Sequence, residues 1–283
     1  MRRPRRLTFR VEDGLELVAD AHGDPSAPPV LLLHGGGQTR RAWGGTAAAL
    51  AERGFHAVAL DLRGHGESDW APDGDYTVDA FAADVRAVAV RLGGRPALIG
   101  ASLGGLAALI AEGEAATPGA SAVVLVDITP RVQPEGVDRI VTFMTSHPDG
   151  FATLEEAAEA VAAYVPHRPR PKDVAGLRKN LRLGADGRYR WHWDPRLMTG
   201  ERRIGGSRDP ERLDRAARGL RVRTLLVRGR MSDVVAEEDA RHFLTLVPHA
   251  RYVDVSDAGH MVAGDRNDQF TAAVVEFLAR GDE

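Results

Sequence analysis

Residues 95–113 constrain this chain more than any other stretch. Residues 96–99 are apolar and read as a buried strand, and residues 103–111 are rich in Ala and Leu and read as a helix. Between them stands Gly100-Ala101-Ser102-Leu103-Gly104. A strand that turns sharply into a helix pushes the serine hydroxyl out of the backbone at the tip of the turn. The two glycines clear space, because side chains there would collide across the turn. Leu103 opens the helix, so its N–H is one of the unpaired donors of a helix N-terminus and is placed to stabilise negative charge beside the serine.

On these residues the chain resembles the α/β-hydrolases with a serine nucleophile, the esterase, lipase and haloperoxidase-like branch with a cap. The rest of the chain fits the resemblance. Residues 7–11 and 15–21 alternate apolar and polar around Asp13-Gly14, which reads as an antiparallel hairpin at a sheet edge. Residues 30–33 are too apolar for a one-sided strand and fit a central strand covered on both faces. His34-Gly35-Gly36-Gly37 follows. The resemblance places a second oxyanion-hole N–H on Gly36, with His34 holding the loop. Helix 42–53 and strand 56–60 lead to Asp61-Leu62-Arg63-Gly64-His65-Gly66-Glu67-Ser68, which is similar to the family's Asp-x-Arg-Gly-x-Gly-x-Ser loop and reads as a loop tied down by Asp61 and Arg63. Thr77 is a good N-cap for a helix over 78–92 with an apolar stripe at Val85, Val88, Ala89 and Leu92. Strand 122–126 ends at Asp127.

The strand-helix alternation then stops. Residues 130–214 show helical stretches at 137–145, 154–164 and 174–183, with Thr153 and Glu156 at capping-box spacing. This segment is expected to be a helical cap inserted into a core of residues 1–129 and 215–283. The expected fold is α/β, a mostly parallel sheet of about eight strands with helices on both faces. Trp43, Phe143, Trp191 and Trp193 are expected to line the substrate pocket. Trp191-His192-Trp193-Asp194 reads as a docking element without an assigned role. Strands at 224–227 and 251–255 and a helix over 267–279 complete the core.

Three residues stand at strand ends in the order Ser102, Asp233, His260, which is the family's order of nucleophile, acid and base. A serine hydroxyl needs a base to take its proton. Histidine does so near neutral pH. A carboxylate on its other ring nitrogen fixes the tautomer and stabilises the imidazolium. Asp233 is the expected acid, and Asp127 is its rival, because some family members place the acid there. The expected reaction is hydrolysis of a carboxylic ester or similar acyl bond of a small to medium, partly apolar substrate, without cofactor or metal. A lactonase, a carbon–carbon bond hydrolase, a cofactor-free perhydrolase and a non-catalytic binding module on the same fold stay open. A serine at the nucleophile position speaks against the dehalogenase and epoxide-hydrolase branches, which use aspartate there.

Composition sets the remaining bounds. The chain has 283 residues, 27% of them charged, a net charge of −3 and no cysteine. It therefore has neither disulfides nor a thiolate nucleophile, and no global field that favours nucleic acid or anionic membrane. Arg2, Arg3, Arg5 and Arg6 form the one basic run and are read as a solvated terminus. No stretch is apolar enough for a membrane span, so a cytoplasmic enzyme with a small-molecule substrate and no nucleic-acid or membrane partner is expected. Arg40 and Arg41, near the Gly36 loop, are read as solvated, with an acidic substrate as the alternative.

Overall fold

The computed structural model describes residues 3–166, 174–207, 209–260 and 267–279. Met261 and Val262, part of the expected histidine turn, lie outside the described residues. The first six strands are β1 (Arg5–Arg10), β2 (Glu16–His22), β3 (Pro29–Leu33), β4 (His56–Leu60), β5 (Ala97–Ala101) and β6 (Ala122–Val126). A short pair, β7 (Leu181–Leu183) and β8 (Tyr189–Trp191), precedes β9 (Arg223–Gly229) and β10 (Arg251–Val255). The main sheet has eight strands in the order β1-β2-β4-β3-β5-β6-β9-β10. β1 pairs with β2, and β2 with β4, antiparallel. The other pairings are parallel.

The apolar run in β3 follows from burial on both faces. Leu31 and Leu33 enter the core on one side, Val30 and Leu32 the core on the other, as the period of two requires. Each such side chain stabilises the fold by roughly 1.5–3 kcal/mol relative to exposure. Helix α1 (Gly44–Glu52) supplies Ala47 and Leu50 to the core of Val30 and Leu32. Helix α2 (Val78–Leu92) begins at Thr77, whose hydroxyl accepts from Ala80 N–H at 3.3 Å. It buries Phe81, Val85 and Val88 in the core of Leu31 and Leu33. Helix α3 (Leu103–Gly113) is buried almost throughout on that same side.

Between β6 and β9 come α4 (Pro134–Thr145), α5 (Leu154–Tyr164), a 3₁₀ turn at Ala175–Asn180, the β7–β8 pair, α6 (Arg196–Thr199) and a 3₁₀ turn at Ile204–Ser207. The helix expected over 174–183 is corrected: the chain leaves the 3₁₀ turn and enters an antiparallel hairpin. Leu-Arg-Leu and Tyr-Arg-Trp alternate with period two around a turn that ends in Gly187 at φ 76°, and that is strand chemistry. Thr153 caps α5 as expected, accepting from Glu156 N–H, but the Glu156 carboxylate turns to Ala152 N–H. α7 (Pro210–Gly219) packs on α3 and on α8 (Glu237–Leu246), so the core resumes a few residues before the expected boundary at 214. α9 (Asn267–Ala279) brings Phe270 and Val274 to the α1 side of the sheet.

Register fixes where function can sit. Leu33 lies level with Gly100 and Leu60, Ala101 with Val126, and Val126 with Val227. The loops after β3, β5, β6 and β9 therefore emerge side by side at one edge, the carboxyl end of the sheet.

Candidate active site

Ser102 sits between β5 and α3 at φ 45° and ψ −111°, a region that costs a residue with a side chain energy to occupy. The flanking glycines are dictated by contact. A Cβ on Gly100 would lie 2.4 Å from Gly104 backbone, and one on Gly104 would lie 2.4 Å from the Leu33 carbonyl. Only Cβ-less residues let the strand turn this tightly and let α3 approach the end of β3.

Two loops meet here, and each leaves one N–H over. In the first, Gly35 N–H donates to Gln38 Oε1 at 3.1 Å and Gly37 N–H to His65 Nε2 at 3.1 Å. In the second, Ser102 N–H donates to the Val126 carbonyl and Gly104 N–H to the His34 carbonyl. Gly36 N–H and Leu103 N–H have no acceptor among the described residues, and both residues border one cavity with Ser102. The glycine at 36 is not forced by crowding: a Cβ there would meet only Met144 Sδ at 3.6 Å. Gly37 is the residue of the loop with positive φ, 72°.

His260 lies beyond β10, and its Nδ1 is 2.7 Å from Asp127 Oδ2. A carboxylate only accepts, so Nδ1 carries the proton and Nε2 is left as the basic nitrogen. Asp127 is fully buried at the end of β6, with φ 49°. Its Oδ1 accepts Gly229 N–H at 2.9 Å, and its Oδ2 also accepts the Ser232 hydroxyl at 2.5 Å. Ser232 Oγ itself accepts N–H groups from Val234 and Val235, which points its proton at the carboxylate. The expectation that Asp233 partners His260 is thus corrected. Asp233 is 38% exposed and pairs with Arg139 of α4 at 2.5 Å. The reason is the path of the loop after β9: it turns back at Ser232, whose N–H donates to Gly229 carbonyl. The histidine loop, tied by Met231 N–H to the Ala258 carbonyl, crosses over Gly229 towards β6. Asp127, the rival acid in the sequence, takes the place, and Ser232, to which the sequence assigns no role, supports it. The signal was a carboxylate directly after a fully apolar strand, where a buried charge needs a partner.

Ser102, His260, Gly36 and Leu103 share a cavity of about 430 Å³. Phe143, Trp191 and Trp193 line it as expected. Trp43 does not: it is buried on the opposite side of the sheet, its ring 5.6 Å from that of Phe270. The residue directly after the 3₁₀ turn at Arg40–Trp43 begins α1, which carries this indole under the sheet instead of over it.

A family described as alpha/beta hydrolase fold matches residues 28–266. The chain belongs to that family. It is 31% identical over 252 residues to Esterase Rv0045c of Mycobacterium tuberculosis, covering 85% of this chain and 79% of the esterase. It is 28% identical to the 3-hydroxybutyrate-oligomer hydrolase of Cupriavidus necator, with 84% of each chain covered. Among solved structures, E-2-(acetamidomethylene)succinate hydrolase superposes with a TM-score of 0.84 at 25% identity, covering 97% of this chain and all of that one.

In this hydrolase three neutral histidines fasten the Gly36 loop. His34 Nδ1–H donates to Gly35 carbonyl at 2.8 Å while its Nε2 accepts Leu62 N–H at 3.0 Å. His65 Nδ1–H donates to Arg63 carbonyl, freeing Nε2 for Gly37. His192 Nδ1 accepts Gly66 N–H at 2.8 Å and its Nε2–H reaches Gly37 carbonyl at 3.3 Å. Burial pushes all three down to about 3, so each keeps one donor and one acceptor nitrogen. His34 holds the loop, as expected from the sequence. The Trp191-His192-Trp193-Asp194 segment also finds its partners. Trp191 and Trp193 stack with centroids 4.9 Å apart, and Trp193 Nε1–H donates to Met144 carbonyl. Asp194 accepts from Tyr76 hydroxyl at 2.6 Å and pairs with Arg196. The Asp61 loop is tied down as read: Asp61 takes Arg40 N–H at 2.7 Å and Glu67 N–H at 2.9 Å. Arg40 is not solvated but 4% exposed, because its guanidinium closes over buried Asp61 and bridges it to the more exposed Asp20 and Glu67.

Proposed function

We propose that this chain is a serine hydrolase that cleaves a carboxylic ester through an acyl-enzyme. The observation that carries the reading is the contact of His260 Nδ1 with buried Asp127 behind a cavity shared by Ser102 and two N–H groups that have no acceptor among the described residues. Ser102 attacks the acyl carbon as His260 Nε2 takes its proton. The tetrahedral oxyanion is held by Gly36 N–H and Leu103 N–H, worth about 3–4 kcal/mol per donor. The imidazolium, stabilised by Asp127, returns the proton to the leaving alkoxide. Water then repeats the sequence on the acyl-enzyme. The described residues between β6 and α7 act as a cap over this centre, and their apolar side chains, Val137, Ile140, Phe143 and Leu177 among them, select a small to medium, partly apolar substrate. Similarity to the esterase and to the 3-hydroxybutyrate-oligomer hydrolase supports an ester as the bond cleaved.

The test is labelling and turnover. A fluorophosphonate probe labels the wild-type serine, and short-chain 4-nitrophenyl esters are hydrolysed. Ser102→Ala abolishes labelling and lowers kcat by about 10⁴-fold or more, since nucleophile, base and acid act as a unit. Activity within tenfold of wild type in a clean Ser102→Ala preparation would sink the reading.

A further inference from the structure

We infer that Arg41 and Lys179 form a subsite for a carboxylate carried by the substrate. The inference rests on the ester-hydrolase reading of the cavity and deepens it. Arg41 and Lys179 are the charged groups lining the cavity that contains Ser102, and no carboxylate is among its described lining residues. Its walls are otherwise mostly apolar, with Val137, Ile140, Phe143 and Leu177 among them. The same two cations, with Thr39, also line an adjoining groove of about 430 Å³, so they stand where cavity and groove meet.

The charge balance of that junction is uneven. Arg6, Arg40, Arg41, Lys179 and Arg182 border the groove, and Glu67 is the carboxylate among its described lining residues. Arg40 is already paired with Asp20, Asp61 and Glu67. Glu67 also receives Arg6. Among the described residues Arg41 reaches only that shared carboxylate, at 3.4 Å, and is 45% exposed. Arg182 donates to a neutral acceptor, Gly66 carbonyl, at 2.8 Å and lies over the Trp70 ring. Lys179 has no carboxylate partner among the described residues. In a chain of net charge −3 this is a local excess of positive charge directly at the cavity mouth. A cation without a partner at the edge of an apolar cavity attracts an anion on the ligand. A planar carboxylate suits Arg41, whose guanidinium presents two parallel donors, and Lys179 adds a point charge.

Two matched ester pairs test this, because the carboxylate can sit on either side of the scissile bond. 4-Nitrophenyl pentanoate and 4-nitrophenyl hydrogen glutarate differ by methyl against carboxylate at the acyl end. Butyl butanoate and 4-(butanoyloxy)butanoate differ in the same way on the alcohol side. A solvent-facing ion pair is worth a few-fold, so both cations together favour the anionic member of one pair by about tenfold in kcat/KM. That ratio collapses towards one in the Arg41→Met/Lys179→Met double variant and in about 1 M salt, where charges are screened within about 3 Å. Lys179→Glu, an exposed site where folding is not at stake, turns the ratio below one. A ratio at or below one in both wild-type pairs, with Ser102-dependent turnover of the neutral esters intact, overturns the subsite and leaves the hydrolase reading standing. A ratio unmoved by the double variant overturns it equally. Absence of turnover on all four esters strikes the hydrolase reading itself and the subsite with it.

Discussion

Asp127 accepts three donors, Gly229 N–H, the Ser232 hydroxyl and His260 Nδ1–H. Together they occupy both carboxylate oxygens and fix the plane of the group. Asp233, one residue beyond Ser232, is spent on an exposed pair with Arg139. Under the proposed mechanism the amide isostere at Asp127 keeps the shape and spoils the histidine tautomer. Asp127→Asn therefore lowers kcat by roughly 10³–10⁴, the scale seen for that change in a serine protease. Asp233→Asn stays near wild type, since an exposed ion pair is worth about 1 kcal/mol or less. Steady-state kinetics on both variants, with thermal melts to show that each is folded, decide between them. If Asp233→Asn is the one that loses catalysis, the acid has been misplaced. Ser232→Ala falls between the two, by about 10–100-fold in kcat, because a hydrogen bond to a charged group is worth about 1.5–3 kcal/mol.

At the scale of elements, the segment between α5 and α6 carries the Trp191–Trp193 stack. Trp193 lies 3.4 Å from the Cβ position of Gly37 and donates to Met144 carbonyl, so it joins α4 to the Gly36 loop. Trp191 stands on the hairpin, faces the cavity, and its buried Nε1–H has no acceptor among the described residues. Trp191→Ala is expected to enlarge the cavity and move the optimum among 4-nitrophenyl esters to longer acyl chains. Trp193→Ala is expected to cost more stability, about 3–5 kcal/mol, read as a lowered Tm. Unchanged profiles and melting temperatures in both variants would contradict both roles. The edge strands were readable in the sequence from alternation, the central strands from short continuous apolar runs, and the core helices from apolar residues three to four apart. Ser102, Gly36 and His260, which border one cavity, could be picked out because each stands in the loop after a core strand. The hairpin at 181–191 was not, since three-residue strands carry too little alternation to outweigh a helical neighbourhood. Nor was the acid: Asp127 and Asp233 both follow a core strand, and which of them meets His260 depends on how the loop after β9 turns back at Ser232, a tertiary event. Trp43 failed for a related reason, because the side of the sheet that an indole reaches depends on how α1 is entered.

For the whole molecule, the His34, His65 and His192 layer couples stability to pH. All three are buried, and burial holds them neutral down to about 3, whereas in the unfolded chain each titrates near 6.5. Between those values the unfolded state binds more protons than the folded one. Stability is therefore fully present above about 6.5 and is lost as pH falls towards 3, by about 1.4 kcal/mol per pH unit for each histidine at the steep part of the window. Glu67, held near 2 by Arg40 and Arg6 against the opposing effect of burial, acts in the same direction. Its contribution fades only below about 4.5, so it leaves the histidine slope between about pH 6.5 and about 5 unchanged, while burial raises Asp84 and Glu112 and makes them act in the opposite sense. His22 and His56 are lowered by burial too and add to the slope. The discriminating measurement is hence a difference. His192→Gln keeps one acceptor for Gly66 N–H and one donor for Gly37 carbonyl but takes up no proton. Urea unfolding across that interval should show wild type losing stability steadily and the variant losing it with a slope shallower by about 1.4 kcal/mol per pH unit. Equal slopes would mean that His192 is protonated in the folded state, and the Gly37 carbonyl and Gly66 N–H would then be held by something other than a neutral ring.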